Sequence, residues 1–195
     1  MMAKKVIFLI GAPGSGKTTD GKIVASECLT EITTYSLGDV LKMDIKKGGK
    51  VGKIINDYLS KDELVPSDLV VDELCKTVLN APTDIVLIDG FPRELDSVKI
   101  LGDRIFNLHK VELLSVIEIR VKEDIAKERY FKAHEENEER FNHLMKIYKD
   151  TISHIEEYYN KNNILKIVDG NQKLDEVVED IKNYLRDLVK TPLKV

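Results

Sequence analysis

Apolar residues follow two alternating patterns along this chain. Five short runs are rich in β-branched and other aliphatic residues, as strands buried on both faces are. They cover residues 4–10, 32–37, 83–90, 112–121 and 163–170. The stretches between them carry apolar residues every three or four positions, which predicts helices. We expect these helices at residues 17–29, 38–61, 65–80, 95–106, 122–162 and 174–189.

Three of the helical stretches contain further local signals. Residues 38–61 include GGKVG, which predicts two short helices with a turn at Gly48–Gly49. Pro66 and Ser67 are a proline and an N-cap signal, and they predict the start of the next helix. Residues 122–162 are expected to be helical with at most a brief interruption.

Strands that alternate with helices predict an α/β fold with a five-stranded parallel sheet flanked by helices. The chain has 195 residues and no internal repeat, so we expect residues 1–195 to form a single domain. Sheets of this kind bind ligands at the carboxyl ends of their strands, where the strand order reverses.

Composition and charge narrow the classes of function. Of all residues, 43% are hydrophobic and 33% are charged, and the formal net charge is −4 without a basic stripe, so no nucleic-acid partner is expected. The sequence has no run of 18 apolar residues, so no membrane span is expected. The first apolar run, VIFLI, is too short for an export signal. We therefore expect a cytoplasmic protein. Cys28 and Cys75 fit small buried residues in a reduced compartment better than a disulfide or a metal site.

A glycine-rich motif carries the clearest chemistry. GAPGSGKT, residues 11–18, matches G-x-x-x-x-G-K-[ST] and lies between a predicted strand and a predicted helix, as a phosphate-binding loop requires. Its glycines let successive N–H groups surround an anion, and the helix adds its positive N-terminal end. Lys17 then reaches the β- and γ-phosphates, and the Thr18 hydroxyl can bind Mg²⁺. An incidental glycine turn is the alternative interpretation.

A second motif, VLIDGFPR, supplies a carboxylate for the same ion. Asp89 ends a predicted strand that faces the loop, so it can hold Mg²⁺ directly or through water. The alternative is an ordinary aspartate that caps a turn.

Four segments together resemble a known family. GAPGSGKTT, YSLGDVLK, DELVPSDLV and DGFPRELDS occur in the order and spacing of adenylate kinases and the wider nucleoside monophosphate kinases. The resemblance covers roughly residues 4–189 and includes the helix around IYKDTISHIEEYY and the strand KIVDG. It implies a P-loop NTPase-type three-layer fold, a helical monophosphate-binding insertion at about residues 37–66, and a monomer. The implied reaction is transfer of the γ-phosphoryl group of Mg-ATP to a nucleoside monophosphate, with AMP as the first expectation.

The resemblance also implies roles for individual residues. The donor ATP would be bound by Gly14, Ser15, Gly16, Lys17, Thr18, Thr19, Arg129 and Gln172, with Arg129 stacked on the adenine and residues 170–172 at its other edge. The acceptor would be framed by Leu37, Lys42, Glu63, Leu64, Val65, Gly90, Phe91, Pro92, Arg93 and Ser97. Lys17, Asp89 and Arg93 are the expected catalytic residues, and Thr18 and Asp89 the expected Mg²⁺ site. The planar guanidinium of Arg93 suits bidentate capture of a phosphate.

The acceptor segments depart from the family pattern at three positions. Lys42 replaces a phosphate-binding arginine, which keeps the charge but loses the two-pronged geometry. Leu37 and Ser97 occupy the positions where adenylate kinases have threonine and glutamine, which bind the adenine. The pyrimidine-directed relatives also have other residues at these two positions. The base preference is therefore open from the sequence.

The segment that should cover the active site departs further. Two lid arginines of the family fall on Ala133 and Leu144, and glycine and proline are absent from residues 103–169. We therefore expect a truncated, mostly helical lid at about residues 130–140. Lys132, Arg140, His143 and Lys146 are possible substitutes, although mixed charges are also typical of any exposed helix.

Three functions remain compatible with these departures. The first is a nucleoside monophosphate kinase with a short lid. The second is an adenylate-kinase-like nucleotide-binding protein with weak or no catalysis, since an arginine acting on the transferring phosphate contributes about 10³–10⁵ in rate. The third is a phosphate-loop kinase that acts on another small acceptor.

Overall fold

The computed structural model describes residues 3–28, 31–108, 111–134 and 137–190. Its strands are β1 (Lys4–Ile10), β2 (Ile32–Ser36), β3 (Ile85–Asp89), β4 (Val111–Arg120) and β5 (Leu165–Asp169). The helices of the described residues are α1 (Lys17–Glu27), α2 (Leu37–Lys47), α3 (Gly49–Leu59), α4 (Ser67–Leu79), α5 (Leu95–Leu108), α6 (Glu123–Ala133), α7 (Glu138–Lys161) and α8 (Leu174–Lys190).

The five strands form one parallel sheet in the order β2-β3-β1-β4-β5. From the central strand β1 the chain passes to the edge strand β2 and returns to β3, which lies between β2 and β1. It then crosses to the other side of β1 and forms β4 and β5. The strand order therefore reverses beside β1, which is where a ligand is expected in an open parallel sheet. This confirms the α/β class, the five strands and the parallel arrangement predicted from the sequence.

Both faces of the sheet are covered by helices, and the alternation of side chains along β1 shows why. Val6, Phe8 and Ile10 point to a core that includes residues of α4, α5 and α7. Ile7 and Leu9 point to the opposite core, built with α1 and α8. A strand with two buried faces needs an unbroken apolar sequence, which is the pattern seen in residues 4–10.

Helix boundaries agree with the sequence except in detail. The predicted turn at Gly48–Gly49 separates α2 from α3, and the long stretch 122–162 divides into α6 and α7. Asn137 caps α7 by accepting a hydrogen bond from the Arg140 N–H at 2.8 Å. The predicted truncated lid falls on this junction, and its residues 135 and 136 lie outside the described residues.

The N-cap predicted at Ser67 is wrong. Pro66 occupies the N-cap position of α4, and no side chain caps the helix there. The Ser67 hydroxyl instead donates a hydrogen bond to the Glu94 carboxylate, 27 positions along the chain. Ser67 therefore joins α4 to the start of α5 rather than closing its own helix.

No helix among the described residues is both long and apolar enough to span a membrane.

Candidate active site

A cavity of about 870 Å³ opens at the carboxyl ends of β1 and β3. Its floor is the loop between β1 and α1, and its walls come from α2, the turn after α3, α6 and α7. This volume is at the upper end of the range typical of small-molecule sites. A smaller recess of about 30 Å³ adjoins it between α2, α4 and α5.

The glycine-rich loop is held tightly against α6. Gly14 and Gly16 both have positive φ angles, +79° and +96°, in the region that favours glycine. A Cβ atom on Gly14 would lie 2.0 Å from the Ala126 carbonyl oxygen, so this position also has no room for a side chain. The loop therefore keeps its shape through both its backbone conformation and its packing.

Lys17 is the first residue of α1, and its ammonium group folds back over the loop. Its Nζ donates a hydrogen bond to the Ala12 carbonyl oxygen at 3.2 Å. Burial lowers the pKa of Lys17, and the nearby Asp89 carboxylate opposes that shift. A phosphate at this position would replace the lost hydration of the ammonium group.

Thr18 and Asp89 meet because β1 and β3 are neighbours in the sheet. Leu9 is paired with Asp89 in the register, and the Gly90 N–H donates to the Leu9 carbonyl at 2.9 Å. The Thr18 hydroxyl donates a hydrogen bond to Asp89 Oδ2. Asp89 Oδ1 is buried and has no hydrogen-bond partner among the described residues, so one carboxylate oxygen is left available for a ligand.

Arg93 lies directly after the β3 loop, and its Nε donates to the Gly90 carbonyl at 3.0 Å. The guanidinium is open to the cavity but enclosed by protein on its other sides, and this burial lowers the pKa of Arg93 while Asp89 opposes the shift. Pro92 lines the cavity beside it, whereas Phe91 is buried with its ring edge-on to Phe8, 5.0 Å between centroids.

The guanidinium of Arg129 joins three separate segments at the other end of the cavity. It donates to the carbonyl oxygens of Gly170 at 2.8 Å, Gln172 at 3.3 Å and Ser15 at 3.4 Å. The Gln172 amide donates to the Asp169 carbonyl and to Asp180 rather than into the cavity. The residues predicted to bind the donor ATP from α6 and from the loop after β5 therefore lie together beside the phosphate loop. Thr19, another predicted ATP contact, directly follows Thr18 and is exposed.

The predicted acceptor residues divide between the two spaces. Lys42, Glu63, Leu64 and Gly90 line the main cavity. Leu37, Val65, Phe91 and Ser97 line the recess, which also shares Glu63, Leu64 and Arg93 with the main cavity. Ser97 is only 3% exposed, and its hydroxyl donates to the Glu94 carbonyl at 2.7 Å.

One carboxyl group of the cavity has no place in the sequence motifs. Asp20 lies three residues after Lys17, is 3% exposed and faces Gly16 from the first turn of α1. Burial raises the pKa of Asp20 to about 7, although the Arg129 guanidinium opposes this shift. The only signal in the sequence was an acidic residue one turn into the helix that follows the phosphate loop.

The wall formed by α6 and α7 carries little charge where arginines were expected. Ala133 and Leu144 both line the cavity, and Leu144 packs against the cluster that contains Phe141 and Met145. Arg140 lines the same wall one helical turn before Leu144. Its guanidinium is paired with Asp62, which follows α3 on the opposite side of the cavity mouth.

Comparison with known proteins gives a consistent result. The family model described as adenylate kinase matches residues 9–164. The adenylate kinase of Campylobacter lari is 39% identical over 190 residues, which are 96% of this chain and 100% of that protein. The adenylate kinase of Helicobacter hepaticus is 37% identical over 186 residues, or 94% of this chain and 98% of that protein, and that of Nautilia profundicola is 36% identical over 187 residues, or 94% and 97%.

Proposed function

This chain belongs to the adenylate kinase family and is a phosphotransferase acting between ATP and AMP, and we propose that the reaction takes place in the cavity above β1 and β3. The observation that carries this assignment is the convergence of Lys17, Thr18 and Asp89 with Arg93 at one end of the sheet. The terminal phosphoryl group leaves the β-phosphate oxygen of ATP and bonds to a phosphate oxygen of AMP, which yields two molecules of ADP. Positioning and neutralisation of charge suffice for this chemistry, and no covalent intermediate with the protein is required.

At the donor side, the N–H groups of residues 14–19 surround the ATP phosphates and the ammonium of Lys17 binds the transferred group. Arg129 and residues 170–172 form the platform for the donor adenine. Support comes from the three hydrogen bonds that fix the Arg129 guanidinium, because a fixed planar group presents a ready face for stacking.

Magnesium fits the pair formed by Thr18 and Asp89. Hydroxyl and carboxylate oxygens are ligands that Mg²⁺ prefers, and the unpartnered buried Oδ1 of Asp89 is a donor atom of this kind. When bound, the ion would neutralise charge on the β- and γ-phosphates. Asp89 holds the Thr18 hydroxyl in place, and Asp89→Asn should therefore raise the Mg²⁺ concentration needed for half-maximal activity.

At the acceptor side, Arg93 and Lys42 bind the AMP phosphate, and the base lies in the recess beside Leu37, Val65, Phe91 and Ser97. We assign the monophosphate-binding insertion to residues 37–66 and the short lid to about residues 130–140. The protein is further proposed to be a monomer and to act in the cytoplasm.

A coupled assay with ATP, Mg²⁺ and a panel of nucleoside monophosphates tests the proposal. We expect turnover of AMP that Lys17→Ala reduces by at least about 10³-fold, since a principal contact to the transferred phosphate is lost. Lys22→Ala is the matched control, because Lys22 is exposed on the same helix. Absence of phosphorylation with AMP, CMP, UMP and GMP would refute the assignment, as would full activity of the Lys17 variant.

A further inference from the structure

We propose that Glu94 selects the acceptor base by accepting a hydrogen bond from its exocyclic amino group. This inference rests on the proposed function and assigns the base preference of the same site. It follows from what each side chain of the recess has available for a ligand.

The recess is placed where an acceptor base would lie. Arg93 lines both the recess and the main cavity, as do Leu59, Glu63 and Leu64. A monophosphate whose phosphate is bound by Arg93 therefore has its base next to the recess. At about 30 Å³ the recess holds roughly one water molecule, so a purine can enter only as α2 and α3 move away from α5.

The two positions expected to read the base offer little to it. Leu37 is apolar and 3% exposed. The Ser97 hydroxyl has already donated its proton to the Glu94 carbonyl, and its side chain is buried. Neither residue presents a free donor to a base.

Two carboxylates line the recess, Glu63 and Glu94, and Glu63 is exposed whereas Glu94 is half-buried. Glu94 is the residue before α5. Its carboxylate accepts one described hydrogen bond, from the Ser67 hydroxyl. A carboxylate can accept about four hydrogen bonds, so most of its capacity is available to a ligand.

Charge and orientation both favour this role. Among the ion pairs formed by the described residues, none involves Glu94, and the neighbouring Arg93 directs its Nε to Gly90 instead. The carboxylate therefore keeps its full accepting strength. The hydroxyl of Ser67, on α4, fixes its orientation from across the recess.

The chemistry of the ligand follows. A carboxylate accepts hydrogen bonds from an amino group, such as the 6-amino group of adenine, and it repels a carbonyl oxygen at the same place. The site should bind amino-bearing bases and reject their oxo analogues. AMP and IMP form a direct pair, because at position 6 an amino donor is replaced by an oxo acceptor, although N1 of IMP also carries a hydrogen that AMP lacks; the monophosphate of unsubstituted purine riboside, which lacks only the amino group, completes the comparison.

The test compares kcat/KM for AMP and IMP in the unmodified protein and in Glu94→Gln. We expect a preference for AMP of at least about 10²-fold, because buried groups that bind an N–H reject an analogue without it. Glu94→Gln should reduce that preference at least about tenfold, since its amide can donate to the IMP carbonyl. Asp96→Asn is the control, because Asp96 is exposed in the first turn of α5 and does not line the recess, and it should leave the preference unchanged.

Binding measured without turnover separates this inference from the assignment of function. Calorimetric titration with AMP and with IMP should give the same preference and the same loss of it in Glu94→Gln. If AMP is bound selectively but not phosphorylated, the proposed function fails and the role of Glu94 stands. If Glu94→Gln alters both affinities equally, or neither, while thermal unfolding shows it to be folded, the role of Glu94 is overturned.

Discussion

The guanidinium of Arg140 lies 3.0 Å from Asp62 Oδ1 and joins α7 to the turn after α3 across the mouth of the cavity. His143, on the same face of α7, contacts the Asp62 carbonyl oxygen through Nε2 at 3.0 Å. Asp62 itself has a φ angle of +55°, which is uncommon for a residue other than glycine. Within the described part of the chain, Asp62 thus connects two helical segments that border the cavity.

Arg140→Ala should lower kcat by about 10²–10³-fold, because an arginine beside the transferring phosphate stabilises its charge. Ala133 and Leu144 occupy the positions where lid arginines were expected, and among the described residues Arg140 is the arginine of α7 that lines the cavity. Asp62→Asn removes the competing carboxylate, so we expect kcat to be retained or raised. Steady-state kinetics with saturating ATP and AMP measure both. Arg104→Ala is the matched control, since Arg104 pairs with Asp72 between α5 and α4.

The difference between these two effects distinguishes a catalytic role of Arg140 from simple closure of the cavity. If the ion pair serves only to hold the cavity shut, both single variants should lower activity equally, and the double variant should be no worse than either. Such a result would contradict a role of Arg140 at the phosphates.

Lys42→Arg should lower the KM for AMP by about two- to tenfold. A guanidinium can hold two phosphate oxygens at once, whereas the ammonium of lysine acts as a point charge. Lys46→Arg provides the control, since Lys46 lies in the last turn of the same helix and does not line the cavity. An unchanged KM would place the acceptor phosphate beyond the reach of position 42.

Asp20 should make stability depend on pH below neutrality. The pKa of its carboxyl group is about 4 in an unfolded chain, and burial, which disfavours the charged form, raises this pKa to about 7 in the folded protein. Between these values the folded state binds one more proton, so the free energy of unfolding should fall as pH rises from about 4 to about 7. Denaturant unfolding at several pH values measures this.

Asp20→Asn should remove most of that dependence and raise the free energy of unfolding at pH 7 by on the order of a few kcal/mol. Asp57→Asn is the control, because Asp57 is exposed on α3. Equal pH profiles for the unmodified protein and Asp20→Asn would show that Asp20 titrates like an exposed carboxyl group.

Gly14→Ala should abolish tight ATP binding, with a loss of affinity of at least about tenfold. The new methyl group would meet the Ala126 carbonyl, and the φ angle of +79° is unfavourable for alanine, so the phosphate loop must shift. Gly102→Ala is the contrasting variant, because Gly102 lies within α5 and a methyl group there would be 3.8 Å from its nearest neighbour, the Tyr158 hydroxyl of α7. We expect it to stabilise the protein by about 0.5–1 kcal/mol without affecting ATP binding.

The parts of the fold that could be predicted are those determined by local sequence. The apolar run of β1 indicates a strand that is buried on both faces. The phosphate loop is formed by consecutive residues, so its conformation follows from its own glycines. Side-chain partners are not local. The contact of His143 with Asp62 spans 81 positions and that of Ser67 with Glu94 spans 27, and nothing in either neighbourhood specifies the partner.

The same distinction explains why the sequence predicts a base contact at Ser97 and gives no sign of one at Glu94. Ser97 occupies the position at which a family pattern expects glutamine, but its hydroxyl is satisfied within its own helix turn. Availability for a ligand depends on which hydrogen bonds are already made, and these become known only when the neighbouring helix is in place.

The pairing of Leu9 with Asp89 places the proposed ion-binding pair at the carboxyl ends of two neighbouring strands, whereas Leu37 and Lys42 belong to a helix outside the sheet. Mutations in this outer helix can therefore accumulate without disturbing the ion-binding pair Thr18 and Asp89. Such an arrangement would allow the acceptor contacts to change while the ion-binding pair is kept. For protein engineering, it makes the proposed acceptor segment, residues 37–66, together with Glu94, the part of the chain to change when a new monophosphate is wanted.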